Sequence, residues 1–153
     1  MNGDNSRKRL TLAHKAVLIL SILIALLAVA NLGRLVMAIY YAKRLPDLPM
    51  TLSWTYLAVM GGVWFAVLSG CVGGLIYFQP WGRLATLVTV PVYQIHVWVD
   101  HLAFDASERA GQLWPRDLAC TAILLVIVWG VLWLPGVRRV FNPPLESLET
   151  NLS

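Results

Sequence analysis

Four long stretches of this sequence contain no charged residue, and this feature constrains the fold more than any other. They lie at 16–32, 48–82, 84–99 and 118–137. About 20 helical residues, rising ~1.5 Å each, cross the ~30 Å hydrocarbon core of a bilayer. Each stretch is long enough if the third is extended by its flanks. The sequence therefore predicts an all-α fold, an integral membrane four-helix bundle whose first partner is the lipid bilayer.

Composition and charge support this prediction. Hydrophobic residues make up 58% of the chain and charged residues 13%, against about 25% charged residues in soluble domains. The net charge is +4, but the basic residues flank the apolar stretches and form no stripe, so we predict no nucleic-acid partner. Seven of the twelve lie near the termini or at the turn between the second and third helices: Arg7, Lys8, Arg9, Lys15, Arg83, Arg138 and Arg139. The positive-inside rule then predicts a multi-pass protein of the cell membrane with both termini in the cytoplasm.

The first apolar stretch has a second interpretation. The basic segment, the apolar run and Ala28-Val29-Ala30 together resemble a secretory signal with a cleavage site after Ala30. Apolar residues resume after Arg34 as LVMAIYY, however, so a cut at this point would divide what is predicted to be one helix. We therefore favour a continuous first helix over a cleaved signal.

Prolines and glycines divide the chain into segments. Pro80 and Gly82 leave room for only a short turn, which predicts a tight hairpin between the second and third helices. Pro115 suits the first turn of the fourth helix, because a helix leaves its first N–H groups unpaired. The predicted segments are a disordered basic N-terminus at 1–10, a transmembrane domain at 11–137 with helices at about 11–41, 54–78, 82–104 and 116–134, and a flexible tail at 138–153.

The second helix carries a small residue at every fourth position, which we call the small-residue ridge: Ala58, Gly62, Ala66, Gly70 and Gly74. Lipid gives helices no hydrophobic reason to associate, so small side chains that permit close backbone approach drive their packing. The ridge predicts a contact with another helix of the chain, with a second copy or with another membrane protein. Sliding of the helix during transport is an alternative that we regard as less favoured.

The stretch YQIHVWVDH, at 93–101, interrupts the third apolar run with polar groups. On a helix five polar residues between 86 and 100 fall within an arc of about 80°, whereas Gln94 and His101 lie about 100° or more from His96 and Asp100. Valines and an isoleucine occupy the other side. This pattern predicts that the polar face turns toward the bundle interior or a small hydrated cavity. The residues of the face are Thr86, Thr89, Tyr93, His96 and Asp100.

Arg34 and Asp100 lie at matching depths, each about 27 Å along its helix from the cytoplasmic end. Because ionisable groups within a membrane usually pair, we predict an Arg34–Asp100 salt bridge with His96 hydrogen-bonded beneath it. A proton site or a small-polar-ligand site that also uses Tyr93 is one alternative, and metal or haem ligation is another. His14 lies at the wrong depth to join His96, so we predict no metal and no cofactor.

No catalytic motif identifies an enzyme. The chain has no HExxH, phosphate loop, nucleophile elbow or Cys-x-x-Cys pair, so we predict a protein without catalytic activity. Cys71 and Cys120 differ in predicted depth, which indicates two unbridged packing residues. The predicted function is that of an accessory or interaction subunit acting through the second helix. The alternative is a transporter-like protein that handles protons or a small ligand through Tyr93, His96 and Asp100.

Overall fold

The computed structural model describes residues 3–44, 53–104 and 108–141, and these residues are almost entirely helical. The described part contains no β-strand. Its five helices are α1 (Gly3–Arg44), α2 (Trp54–Ile76), α3 (Pro80–Phe104), α4 (Glu108–Trp133) and α5 (Pro135–Phe141). The all-α prediction is confirmed for these residues. The predicted loop at 45–52 and the predicted tail from 142 onward lie outside the described part.

Two helix starts differ from the prediction. α1 begins at Gly3, so residues 3–10 are helical where the sequence predicted disorder. α4 begins at Glu108, which puts Pro115 inside the helix and not at its first turn. A proline within a helix removes one backbone hydrogen bond and crowds the preceding turn, but neighbouring bonds can keep the helix continuous.

The predicted tail also begins later than expected, because residues 135–141 form α5. Pro135 lies at the start of this helix, where its missing N–H costs nothing. Val137 and Phe141 are buried, and the Phe141 ring lies 6.0 Å from the ring of Phe78 in the α2–α3 turn. α5 contacts α1 and thereby closes one end of the core. Packing against the bundle, which the local sequence did not indicate, accounts for this extra helix.

Within the described residues, three segments are long and apolar enough to cross a membrane: Leu12–Arg44, Trp54–Ile76 and Pro115–Trp133. These helices are compatible with a membrane protein. α3 has 25 residues but is not among the three, because the polar side chains on one of its faces lower its hydropathy.

α3 nevertheless lies alongside α2 over its whole length. The two helices are joined by residues 77–79 only, which gives the predicted tight hairpin. Gly74 meets Gly82 near the turn, the rings of Trp64 and Tyr93 lie 5.1 Å apart midway, and Tyr56 bonds to Asp100 at the far end. The helices are therefore antiparallel neighbours from one end to the other.

α4 pairs with α3 in the same antiparallel manner. Trp98 donates from Nε1 to Oγ1 of Thr121 at 3.2 Å near one end, and Arg83 donates from Nε to the carbonyl of Leu132 at 3.0 Å near the other. The bundle core lies between α1, α2, α3 and the second half of α4. It includes Val17, Leu20, Ile24, Leu68, Leu75, Val90, Val128 and Leu132.

The outward faces of the helices are apolar, as a lipid environment requires. On α3, Val88, Val92, Ile95 and Val99 are 48 to 64% exposed. The opposite face is polar and turns inward, with Thr86 and Tyr93 buried. This confirms the predicted orientation of α3. Soluble proteins rarely expose such large continuous apolar surfaces, so the arrangement favours a membrane.

The small-residue ridge contacts the rest of the chain mainly at one end. A Cβ atom at Gly74 would lie 2.6 Å from the Cα of Gly82, but a Cβ at Gly70 would have no atom within 4 Å. Ala66 and Gly70 are exposed. Among the glycines of α2, Gly61 approaches α1 most closely, since a Cβ there would lie 3.0 Å from backbone atoms of α1. The ridge is therefore not the main packing surface within the chain.

The two cysteines have different environments. Cys71 is buried in the core between α1 and α2, which agrees with a packing role. Cys120 is exposed on α4, so its predicted packing role within the chain is wrong. An apolar thiol can face lipid without cost, which explains why the sequence pattern does not distinguish the two positions.

Candidate functional site

Polar side chains from three helices meet at the end of the bundle where α1 ends and α2 begins. α3 supplies the residues predicted from the sequence, and α1 and α2 supply partners for them. We call this group the polar cluster. Its members are Asn31 and Arg34 of α1, Tyr56 and Trp64 of α2, and Tyr93, His96 and Asp100 of α3.

Asp100 is the residue at which all three helices meet. Its Oδ1 accepts a hydrogen bond from the Tyr56 hydroxyl at 2.7 Å. Its Oδ2 lies 3.7 Å from Nη2 of Arg34, so the structure brings together the two charges that the sequence paired. The Asp100 side chain is only 11% exposed, whereas that of Arg34 is 40% exposed. A buried carboxylate is costly unless it is paired and hydrogen-bonded, and both kinds of support are present.

His96 lies one helical turn before Asp100, between two aromatic rings of α2. Its Nε2 is 3.4 Å from Oδ2 of Asp100, close enough for an ion pair if the imidazole is protonated. The two atoms do not form a hydrogen bond, so the predicted bond between them is wrong. The ring centroids of Tyr56 and Trp64 lie 6.4 and 5.5 Å from that of His96. Ring packing, more than hydrogen bonding, holds the imidazole.

Asn31 joins the cluster to α1 at its deeper end. Its Nδ2 donates to the hydroxyl of Tyr93 at 3.1 Å and to the carbonyl of Leu27 at 2.8 Å. Asn31 is completely buried. The bond between Ala30 and Asn31, the alternative cleavage point, therefore lies within a helix that packs on both sides of it.

Sequence reasoning missed Asn31, Tyr56 and Trp64. Asn31 gave a usable signal, because an amide within an apolar membrane segment is costly and usually has a partner. Trp64 differs from the tryptophans near the helix ends, since it lies in the middle of α2. Tyr56 gave no signal, because a tyrosine near a helix start suits the membrane interface without any partner.

Four buried polar atoms of the cluster have no hydrogen-bond partner among the described residues: Asn31 Oδ1, Trp64 Nε1, His96 Nε2 and Asp100 Oδ2. Most buried polar atoms in proteins are paired, and leaving one unpaired costs about 1–3 kcal/mol. The set combines acceptors with a donor, which is chemistry that suits a proton or a compact polar molecule. The cluster contains no serine or cysteine nucleophile. Among the described residues, no three His, Cys, Asp or Glu side chains lie close enough to hold a metal ion.

The polar character of the interior does not continue across the bundle. Val90, the next buried residue of α3 below Tyr93, belongs to the apolar core. Deeper in the bundle, the hydroxyls of Thr86 and Ser21 donate to the carbonyls of Gly82 and Val17 on their own helices. Apolar core residues therefore separate the polar cluster from these deeper hydroxyls.

A separate set of polar groups occupies the side of α3 that faces α4. Thr121 donates to Oε1 of Gln94 at 3.4 Å and accepts from Trp98, whose ring lies 5.7 Å from that of His101. As the helical angles predicted, Gln94 and His101 lie away from His96 and Asp100.

Comparisons with known proteins give this chain no relative. No protein-family model, no curated protein and no solved structure matches it. Its function must therefore be argued from its own residues.

Proposed function

We propose that this chain is a four-helix integral protein of the cell membrane that acts as a non-catalytic accessory or interaction subunit. The observation that carries the proposal is the outward orientation of the small-residue ridge around Gly70. A surface that permits close backbone approach, but that the chain itself leaves open, suits a second transmembrane helix.

The antiparallel pairing of α3 supports four membrane crossings. α3 contacts α2 near both of its ends and midway, so a bilayer crossed by α2 is also crossed by α3. The Asp100 and His96 side chains face other protein groups and not lipid, which is the usual arrangement of ionisable residues in a membrane.

An even number of crossings predicts that both termini lie on the same side, and the flanking basic residues favour the cytoplasm. We expect reporter domains fused to either terminus to be active only in the cytoplasm, and a cysteine-labelling tag at 105–107 to react only from outside the cell. A C-terminal reporter that is active outside would contradict the proposal, because it would mean three crossings or a cleaved first segment.

The open ridge allows a mutation that separates association from folding. A side chain at Gly70 points to the surface of the described chain, because Gly70 is exposed and a Cβ there would have no atom within 4 Å. The same side chain would prevent another helix from approaching the ridge, since overpacking a close contact costs about 1–3 kcal/mol. We expect Gly70→Leu to retain the thermal stability of the isolated chain but to lose an associated subunit or second copy, as measured by size-exclusion chromatography with light scattering after mild detergent extraction.

Gly130→Leu is the matched control for this experiment. Gly130 is also a helical glycine without neighbours within 4 Å, but it lies on α4, outside the ridge. Association that both variants retain would mean that the ridge faces lipid. Association that both variants lose would contradict a specific role of the ridge.

The polar cluster supports a second candidate function, the handling of a proton or a small polar ligand. The observation in its favour is the set of four buried polar atoms that have no hydrogen-bond partner among the described residues. The apolar core below Tyr93 argues against a route through the bundle, so binding suits this candidate better than transport. We rank it below the interaction subunit for that reason.

A further inference from the structure

A cavity of about 180 Å³ lies next to the polar cluster, between the end of α1 and the start of α2. Among the described residues that line it, Arg34 is the only charged one. The other lining residues are Met37, Ala38 and Tyr41 of α1 and Trp54 and Leu57 of α2. The cavity thus combines one guanidinium with apolar and aromatic walls.

Arg34 has hydrogen-bonding capacity to offer to a ligand in this cavity. A guanidinium has five N–H donors in a planar fork that matches the oxygens of phosphate. The carboxylate oxygen of Asp100 is 3.7 Å from Nη2, which is too far for a good hydrogen bond. Asp100 therefore lies beside Arg34 as an opposite charge and leaves the N–H donors of the fork available.

The size and walls of the cavity indicate that it takes one part of a larger molecule. Sites for whole drug-sized ligands have volumes of about 300–1,000 Å³, which exceeds the 180 Å³ found here. Met37 is exposed on the outer surface of α1, so the cavity borders the face that meets lipid. The rings of Tyr41 and Trp54 stack at 5.8 Å, and aromatic side chains of this kind favour the headgroup region.

We propose that this cavity binds the phosphate group of a membrane phospholipid, with Arg34 as its ligand and the acyl chains lying outside against α1. The depth is suitable, because Trp54 is the first residue of α2 and Asp100 lies within about one turn of the end of α3. Lys43 and Arg44, further along α1, add positive charge on the same side. The inference rests on the proposed crossing of the membrane but not on the ridge of α2.

Native mass spectrometry of the purified protein tests the proposal. The protein is offered equal amounts of phosphatidylcholine, phosphatidylglycerol and diacylglycerol, which lacks the phosphate. We expect wild type to retain both phospholipids and not diacylglycerol, and Arg34→Gln to retain about tenfold less phospholipid, because it loses a charged bidentate contact. Arg44→Gln is the control, since Arg44 lies over the Tyr40 ring of the same helix and does not line the cavity.

Asp100→Asn distinguishes a lipid site from a general loss of structure. It removes the negative charge beside Arg34 and keeps the guanidinium, so the retention of a negatively charged phosphate group should be unchanged or higher. If Arg34→Gln alone does not fold, the Arg34→Gln, Asp100→Asn double variant should fold and still lose the lipid. The oligomer size of each variant is measured in the same experiment. Loss of lipid binding can then be distinguished from loss of association through the small-residue ridge.

Three results would overturn the proposal. Retention of diacylglycerol equal to that of phospholipid would mean that the phosphate is not recognised. An equal loss in Arg34→Gln and Arg44→Gln would mean that any cation on α1 suffices. Inorganic phosphate that raises thermal stability in an Arg34-dependent way and displaces the lipid would assign the site to a soluble anion.

Discussion

Replacing Gly82 with alanine is expected to destabilise the bundle by about 3 kcal/mol, the upper end of the usual cost of overpacking. The added methyl would lie 2.6 Å from the Cα of Gly74. The Cα of Gly74 is a backbone atom, and the backbone of α3 fixes the position of the methyl, so neither can rotate away. The two helices are also joined by a turn of only three residues. The helices must separate where the hairpin begins. Thermal unfolding in detergent, followed by circular dichroism, measures the loss.

Alanine substitutions at two other glycines should have smaller effects on stability, against which the effect at Gly82 can be compared. A Cβ at Gly61 would lie 3.0 Å from the Asn31 carbonyl oxygen and the Leu35 nitrogen. That contact requires a shift of only a few tenths of an ångström, so we expect Gly61→Ala to cost about 1 kcal/mol. Gly130→Ala meets no atom within 4 Å and should be neutral or stabilising by about 0.5–1 kcal/mol, because alanine restricts the unfolded chain. Equal stability of all three variants would contradict the helix contacts described here.

The contrast between Gly61 and the small-residue ridge marks the limit of what the sequence of α2 could predict. The spacing from Ala58 to Gly74 identifies a surface that permits close approach. It does not identify the helix that approaches. Gly61 lies about 100° around the helix from Gly62, and the shape of α1 at Asn31 and Leu35 decides which of the two is buried. Such information belongs to the partner helix and not to the local pattern.

The contacts of the polar cluster could likewise be predicted only in part from the sequence. Arg34 and Asp100 could be paired from the sequence, because charges within a membrane need partners and helical rise gives their depth. Tyr56 could not be added, since its contact depends on the rotation of α2 about its axis. The early start of α4 could not be predicted, because a proline usually marks the first turn of a helix, whereas Pro115 lies inside α4. Sequence periodicity therefore predicted the orientation of each polar face better than it predicted the contacts between helices.

The second large effect is expected at Asp100. Asp100→Asn should cost about 2 kcal/mol, less than the roughly 3–5 kcal/mol for breaking a fully buried pair, because Arg34 is partly exposed to solvent. Arg34→Gln should cost less, since the Tyr56 hydroxyl still donates to the carboxylate. The double variant should recover part of the loss, with a coupling free energy of about 1 kcal/mol. Thermal unfolding of wild type, the two single variants and the double variant completes the cycle.

Tyr56→Phe and His96→Ala extend this test to the second candidate function. Tyr56→Phe should cost about 1.5–3 kcal/mol, as expected for a hydrogen bond to a charged group, and less once Asp100 is asparagine. If the cluster is structural, His96→Ala should lower stability and leave subunit association intact. If the cluster handles a proton or a small ligand, His96→Ala should fold and associate normally but lose the bound species. A coupling free energy of zero between Arg34 and Asp100 would contradict a structural role of this ion pair. The Asp100 carboxylate would then lie within the membrane without a cation that stabilises it. Because a carboxylate there is energetically costly, this result would favour a functional role for Asp100.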